Sequence, residues 1–416
     1  MMKFEFQIFI SLQFLQQGIR SYAYKEAPTW ILYSEHYSLF FIQLLVAILS
    51  FPFNLKFIFR FIPLRSGNTF IISGLFVSGL CFMFITEHVL FIPLLFSSLI
   101  SMAINDVSVD QLMHDYNSNP TTEKTMNMFS IQNCACVFLS IGNIIGHVLA
   151  ASIVGYNGSE TRLLFYMVYS ITALVSLIPL VFIPNNHIAK ESLSLKQTTY
   201  ALYKALTNRQ ILYPLSWVFL STALLPDISP ILSIWKLENM NIGANIQTII
   251  EFGGELFAFV LLLIFSRHRQ KTISSFRYVF LLCQFGLILV YLTDVIVLNF
   301  WHKDLLPDII ILIISSIIFA SIKLLFSIAF LILSTRLSRS YQHSSIIFGF
   351  LLFIGGIGKS MSSLFASLFV HFEINLVYIC YFQFTMAAFA CFFIGLVPHQ
   401  IDEIDFTFKQ KGLENV

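Results

Sequence analysis

Charged residues inside long apolar runs constrain this chain more than any other feature. Arg20, Asp106, Asp110, Asp227, Glu251, Glu255, Asp294, Lys323 and Lys359 all sit within or at the edge of stretches otherwise fit for a bilayer. A charge at the centre of a membrane helix costs about 2.5 kcal/mol or more, so exposing all of them to lipid would cost on the order of 20 kcal/mol. They must therefore face one another or a wet cavity. A polytopic chain with a charged interior is most simply a transporter.

The apolar background is just as plain. The 416 residues are 57% hydrophobic and only 11% charged, with a mean hydropathy of +0.80. Soluble domains carry about 25% charged residues. Several runs exceed the roughly 20 apolar residues needed to cross a hydrocarbon core. A net charge of +2 gives no reason to expect a nucleic-acid partner. The six cysteines lie in apolar surroundings without metal-ligand spacing and read as small embedded side chains. No metal and no cofactor is expected.

The hydropathy pattern predicts an all-α membrane protein with twelve spans, near 5–24, 36–60, 68–86, 88–111, 128–154, 161–183, 210–235, 245–266, 276–299, 306–334, 344–370 and 374–397. Even-numbered loops hold thirteen Lys and Arg, odd-numbered loops four. The positive-inside rule then puts the even loops and both termini in the cytoplasm. The sequon Asn157-Gly158-Ser159 falls in the fifth loop, on the expected outer or luminal side, and makes Asn157 a glycosylation candidate. A polar, basic connection at 185–209 divides six spans from six. This predicts an N-terminal bundle at 1–184, a cytoplasmic linker at 185–209, a C-terminal bundle at 210–398 and a cytoplasmic tail at 399–416. It is the six-plus-six plan of the major facilitator superfamily, with a midplane cavity between bundles. The chain is expected to act as a monomer.

Several constellations could carry chemistry. Asp106 and Asp110 are four apart, so on a helix they share a face with Asn105 alongside. Two such carboxylates cannot both ionise cheaply in a membrane, which suits a proton carrier; a structural pairing with Arg or Lys is an equal alternative. Glu251 and Glu255 repeat the spacing around Gly253 and Gly254, which would let a neighbouring helix or a ligand approach closely. Lys323 and Lys359 are cations suited to an anionic substrate or to neutralising the acidic pairs. Pro226-Asp227 and Pro230 should kink or unwind the seventh span, and broken helices at depth are tolerated where they line protein or water. A plain packing kink, with Asp227 near the outer interface, competes with that reading. Gly142, Asn143, Gly146 and His147 form a face with GxxxG spacing, which points to close helix packing. Nothing matches a nucleophile elbow, a zinc-protease helix or a phosphate loop, so no enzyme is expected.

Taken in order, these marks resemble the folate-biopterin transporter family, a branch of the major facilitator superfamily. Gln17-Gly18 looks like its early Gln-Gly, and Pro52-Phe53-Asn54-Leu55-Lys56 is similar to its Pro-Trp-x-x-Lys with Phe53 in place of Trp. Asp106-Val107-Ser108-Val109-Asp110 resembles its Asp-Val-x-x-Asp in the fourth span. Leu224 to Pro230, Lys236 to Gly243, Thr335-Arg336-Leu337 and the small residues from Ser344 to Ser363 resemble its later landmarks. The acetyl-CoA transporter family is a close rival, since 51–56 fits its Pro-Phe-Ser-Leu-Lys and Gly142 to Gly146 its Gly-Asn step. The loop 61–68 departs from both by lacking an aspartate. The resemblance implies uptake of a small folate-like or pterin-like anion, coupled to protons. On that reading Asp106 and Asp110 bind the proton or the substrate's polar ring. Lys323, Arg20 and Lys359 meet its negative charge, Glu251 and Asp227 belong to the cavity wall, and Glu255 is a further substrate- or proton-binding candidate. A transport-inactive membrane receptor or scaffold is the alternative of another class.

Overall fold

The computed structural model describes residues 7–8, 10–15, 17–19, 29–30, 32–33, 36–54, 96, 99–100, 103, 128–154, 195–240, 242–267, 275–300, 305–339 and 344–398. Every regular element among them is helical. These are α1 Leu39–Asn54, α2 Met128–Val154, α3 Leu195–Leu206, α4 Arg209–Ala223, α5 Ser229–Met240, α6 Ala244–Arg267, α7 Phe276–Phe300, α8 Leu305–Arg339, α9 Ser344–His371 and α10 Leu376–Phe392, closed by a 3₁₀ turn at Ile394–Leu396. Ala244–Ile264, Phe276–Phe300, Ile309–Ser338 and Ile346–His371 are long and apolar enough to cross a bilayer. The helices fall where apolar periodicity puts the second, fifth and seventh to twelfth spans. The seventh is two helices, α4 and α5, and the 185–209 connection carries a helix of its own, α3. Spans three and six, the loop at 61–68 and the tail beyond 398 lie outside the described residues, as does most of span four.

Exposure along the spans tells which solvent they meet. On α7, Tyr278, Leu282, Phe285, Leu289, Leu292, Ile296 and Phe300 are all exposed, a nearly unbroken apolar stripe at three- and four-residue spacing. The opposite face, with Phe276, Phe280, Cys283, Gln284 and Asp294, is buried. An apolar stripe of this length is at home against lipid tails, not water.

The helices cluster into two compact units. One comprises Met1–Ser192 with Ser229–Phe259. Here Gly142 and Gly146 on α2 meet Leu15, Gly18 and Ile19 of the first span backbone to backbone. A Cβ on Gly142 would overlap the Leu15 carbonyl oxygen, and one on Gly146 would lie 2.8 Å from that of Ile19. The GxxxG face is thus a packing seam, as its spacing predicts. In the same unit the Tyr33 hydroxyl donates to Glu238 Oε1 on α5 at 2.8 Å. Partial burial, then the hydrogen bond and charge of Glu238, push the Tyr33 phenol above its usual range. It therefore remains a protonated donor through neutral pH. Gln247 at the start of α6 donates to the Ser233 and Ile242 carbonyls and ties α5 to α6.

The second unit comprises Leu193–Ile228 with Val260–Val416. Its core is an aromatic ladder. Trp217 on α4 packs on Phe280 of α7 with centroids 5.1 Å apart, and Phe280 meets Phe326 of α8 edge-on at 5.3 Å. The Trp217 indole N–H donates to the Ala390 carbonyl at 3.0 Å, so a fully buried polar group is satisfied. Arg277 donates to the Val397 and Gly395 carbonyls, fastening the turn that follows α10 to the start of α7. Between α9 and α10 the chain reverses through Glu373, whose φ of 53° is left-handed. Paired bonds from Ile374 N–H to Phe369 O and from Glu373 N–H to Val370 O, both at 3.0 Å, close that helix end. Asn375 Oδ1 then caps α10 by accepting from the Val377 N–H.

The seam between α2 and the first span yields a direct expectation. Gly142→Ala forces backbone apart where no side chain can give way, and overpacking of this kind costs about 1–3 kcal/mol. The purified variant should melt well below the parent in a detergent thermal-unfolding assay, whereas Gly253→Ala should not.

Candidate functional site

The seventh span breaks where its prolines predict. Helix α4 stops at Ala223, residues Leu224–Ile228 are non-helical, and α5 starts at Ser229. Three of the backbone groups freed by the break are taken up by neighbouring helices. Ser362 Oγ on α9 donates to the Leu225 carbonyl, and its own carbonyl accepts the Asp227 N–H at 3.3 Å. Gln383 Nε2 on α10 donates to the Pro226 carbonyl. The Leu225 and Pro226 carbonyls and the Asp227 amide are thus satisfied inside protein. Ile228 anchors it below, in an apolar cluster with Val295, Ala366, Ile379 and Cys380.

That arrangement leaves Asp227 exposed beside the buried residues Pro226 and Ile228. Asp227 and Asp294 both act electrostatically on Tyr291, one turn before Asp294 on α7. Asp294 is only 8% exposed and lies on the side of α7 away from the apolar stripe. The second unit thus gathers two carboxylates and a phenol around a broken helix, on the protein-facing side of its spans.

Most of the remaining described candidates obey the same rule. On α9 the neighbours of Lys359 on its own face, Gly355, Ser362, Ser363 and Ala366, are buried, yet Lys359 is exposed. Its helix shows apolar residues elsewhere, at Leu364, Phe365 and Leu368. Lys359 is therefore exposed on the packed side of α9, where Gly358 lies against Thr222 of α4. Lys323 on α8 is the exception: it is exposed and shares a face with Ser316 and Ser327 but also with exposed Phe319, so α8 shows no such separation. In the other unit, Glu251 and Glu255 are half-buried on the face of α6 that holds buried Gln247, Thr248, Ala258 and Leu262. The opposite face shows Ile249, Leu256, Phe257, Val260 and Ile264 to the outside.

One expectation needs correction. Gly253 has no helix packed closely on it among the described residues: a Cβ there would meet nothing within 4 Å. The reason is helical phase, since residue 253 lies about 200° from Glu251 and so on the lipid-facing side. Arg20, Asp106, Asp110 and Asn157 lie outside the described residues. Sequence reasoning noted Asp294 as an embedded charge without giving it a role. It missed Tyr291, Ser362 and Gln383 altogether. Only the i, i+3 spacing of Tyr291 and Asp294 could have signalled their grouping. Among the described residues, no group of three or more His, Cys, Asp or Glu could hold a metal ion.

A helical membrane protein with satisfied broken-helix backbone and protein-facing charges has the build of a major facilitator carrier. Solved structures agree on the fold. A D-xylose-proton symporter superposes with a TM-score of 0.66 at 12% identity over 96% of this chain and 98% of its own. A POT family transporter in complex with 5-aminolevulinic acid gives 0.62 at 12% identity over 94% of each chain. The nucleoside transporter NupG gives 0.56 at 17% identity over 98% and 99%. No individual curated protein matches the sequence significantly. The profile of the BT1 family matches residues 69–401. The chain belongs to the BT1 family, the folate-biopterin branch that its motifs resemble.

Two measurements check this geometry. Ser362→Ala and Gln383→Leu each strand a carbonyl at the break, at about 1–3 kcal/mol, and should lower the melting temperature of the detergent-purified protein. In a background lacking the native cysteines, Lys359→Cys and Glu251→Cys should react with a water-soluble maleimide, and Phe285→Cys, on the lipid stripe, should not. Equal labelling of all three would remove the distinction between the faces.

Proposed function

We propose that the protein is a secondary active transporter that moves a small organic anion of the folate or pterin kind by alternating access, coupled to protons. One observation carries the proposal: Glu251, Glu255, Asp294 and Lys359 lie on the sides of their helices away from the exposed apolar stripes, and Asp227 is exposed at a helix break. Membership of the BT1 family supports the carrier reading. That the xylose carrier of the same fold is a proton symporter supports the coupling.

In this proposal the moving parts are the bundles 1–184 and 210–398, joined by 185–209, with both termini and the tail from 399 in the cytoplasm. The protein works as a monomer. Asp227 and Asp294, with Tyr291 between them in charge terms, exchange the coupling proton with Asp106 and Asp110. Each carboxyl that takes a proton loses the charge that makes it costly in a dry interior. Lys323, Lys359 and Arg20 attract the substrate's negative charge, and Glu251 and Glu255 line the wall. The fixed break in the seventh span lets Asp227 hold its position while its own helix backbone is satisfied by α9 and α10.

Uptake of labelled folate and biopterin into proteoliposomes, with and without an inward proton gradient, tests the proposal. The gradient should accelerate uptake several-fold in the parent. Asp106→Asn, Asp227→Asn and Asp294→Asn should each abolish the acceleration while leaving the protein inserted and monodisperse. Gradient-driven uptake of acetyl-CoA instead would move the substrate to the rival anion. No uptake of any of these anions would favour the receptor or scaffold alternative.

A further inference from the structure

Helix α3 has no part in the proposed transport site, yet it is strongly two-sided. Thr198, Ala201 and Ala205 are buried, and the helix packs on α9 and α4 within its unit. These small side chains bring it close to the spans. On the opposite face Lys196, Tyr200, Tyr203 and Lys204 are all exposed, the two tyrosines at 68% and 67%. Their spacing of i, i+4, i+7 and i+8 puts them on one side of a helix.

The position of α3 limits what can cover that face. Thr207 closes its last turn by donating to the Tyr203 and Lys204 carbonyls. Asn208 then caps α4 by accepting the Gln210 N–H. Two residues therefore separate α3 from a span helix that opens with exposed Arg209 and Tyr213. A face next to the membrane entry point, with aromatic rings carrying polar tips between cations, matches a phospholipid headgroup layer. The lysine and arginine excess of the even loops makes the adjoining leaflet the cytoplasmic one, which carries anionic lipid.

We propose that the Lys196–Tyr200–Tyr203–Lys204 face of α3 is a docking surface for anionic phospholipid headgroups of the cytoplasmic leaflet. The tyrosine rings sit at headgroup depth with their hydroxyls outward, and Lys196 and Lys204 take the phosphate and carboxylate charges.

The test titrates phosphatidylserine or phosphatidylcholine micelles into the full-length protein in neutral detergent and follows thermal unfolding. The parent should be stabilised by phosphatidylserine at far lower concentration than by phosphatidylcholine, and raised salt should erase the difference. Lys196→Gln with Lys204→Gln should weaken the phosphatidylserine effect roughly 30-fold, the equivalent of about 1 kcal/mol per lysine. Tyr200→Ser with Tyr203→Ser should weaken the response to both lipids. Identical phosphatidylserine titrations for parent and lysine variant would overturn the proposal. So would full competition by soluble glycerophosphoserine, which lacks the lipid surface. Should the double variant fail to fold, the salt dependence of the parent and the two single lysine variants decide. A parent with no preference for the anionic lipid leaves a protein partner as the remaining occupant and ends the lipid reading.

Discussion

The structure depends on keeping charge away from hydrocarbon. Hydrocarbon offers an ionised side chain no compensating partner, so a span carrying one can exist only if the charged side turns inward. On α6, α7 and α9 the exposed apolar residues occupy one side, and Glu251, Glu255, Asp294 and Lys359 occupy the other. The rotational setting of each helix follows from this separation. A bundle assembled in that way has an interior more polar than its surroundings, the reverse of a soluble protein and the condition a carrier needs.

The broken seventh span obeys a second constraint, on backbone rather than charge. Pro226 and Pro230 remove donors, and the resulting gap spares the carbonyls of Leu225 and Pro226 from lipid only because Ser362 and Gln383 accept the task of bonding them. Position 362 comes from α9 and position 383 from α10, so three helices define the place of Asp227. The break ends at Ile228, the residue after which the chain passes from one compact unit to the other. Irregular backbone and the change of packing partner coincide.

Much of this was legible in the residues. Periodic apolar runs located the described spans to within a few residues, because helix length in a bilayer is fixed by thickness. Prolines announced the break, since they act locally and through covalent structure. The GxxxG face of α2 announced a packing seam, though not that its partner would be the first span. What sequence could not give was contact between distant segments. Nothing in the local surroundings of Ser362 or Gln383 distinguishes them from other polar residues of apolar helices. The grouping of Asp227 with Tyr291 and Asp294 arises only when α7 lies beside the break. Gly253 misled for a related reason, because a paired-glycine motif says that something could approach and not which way the face is turned. Helix α3 was hidden by its short, polar sequence, whose alanines become meaningful only once packed.

The first span and α2 touch main chain to main chain at Gly18, Gly142 and Gly146. Where backbone meets backbone no side-chain end can give way, so this crossing resists repacking more than one made through long side chains. A rearrangement of this unit would therefore meet least resistance at joints away from that crossing.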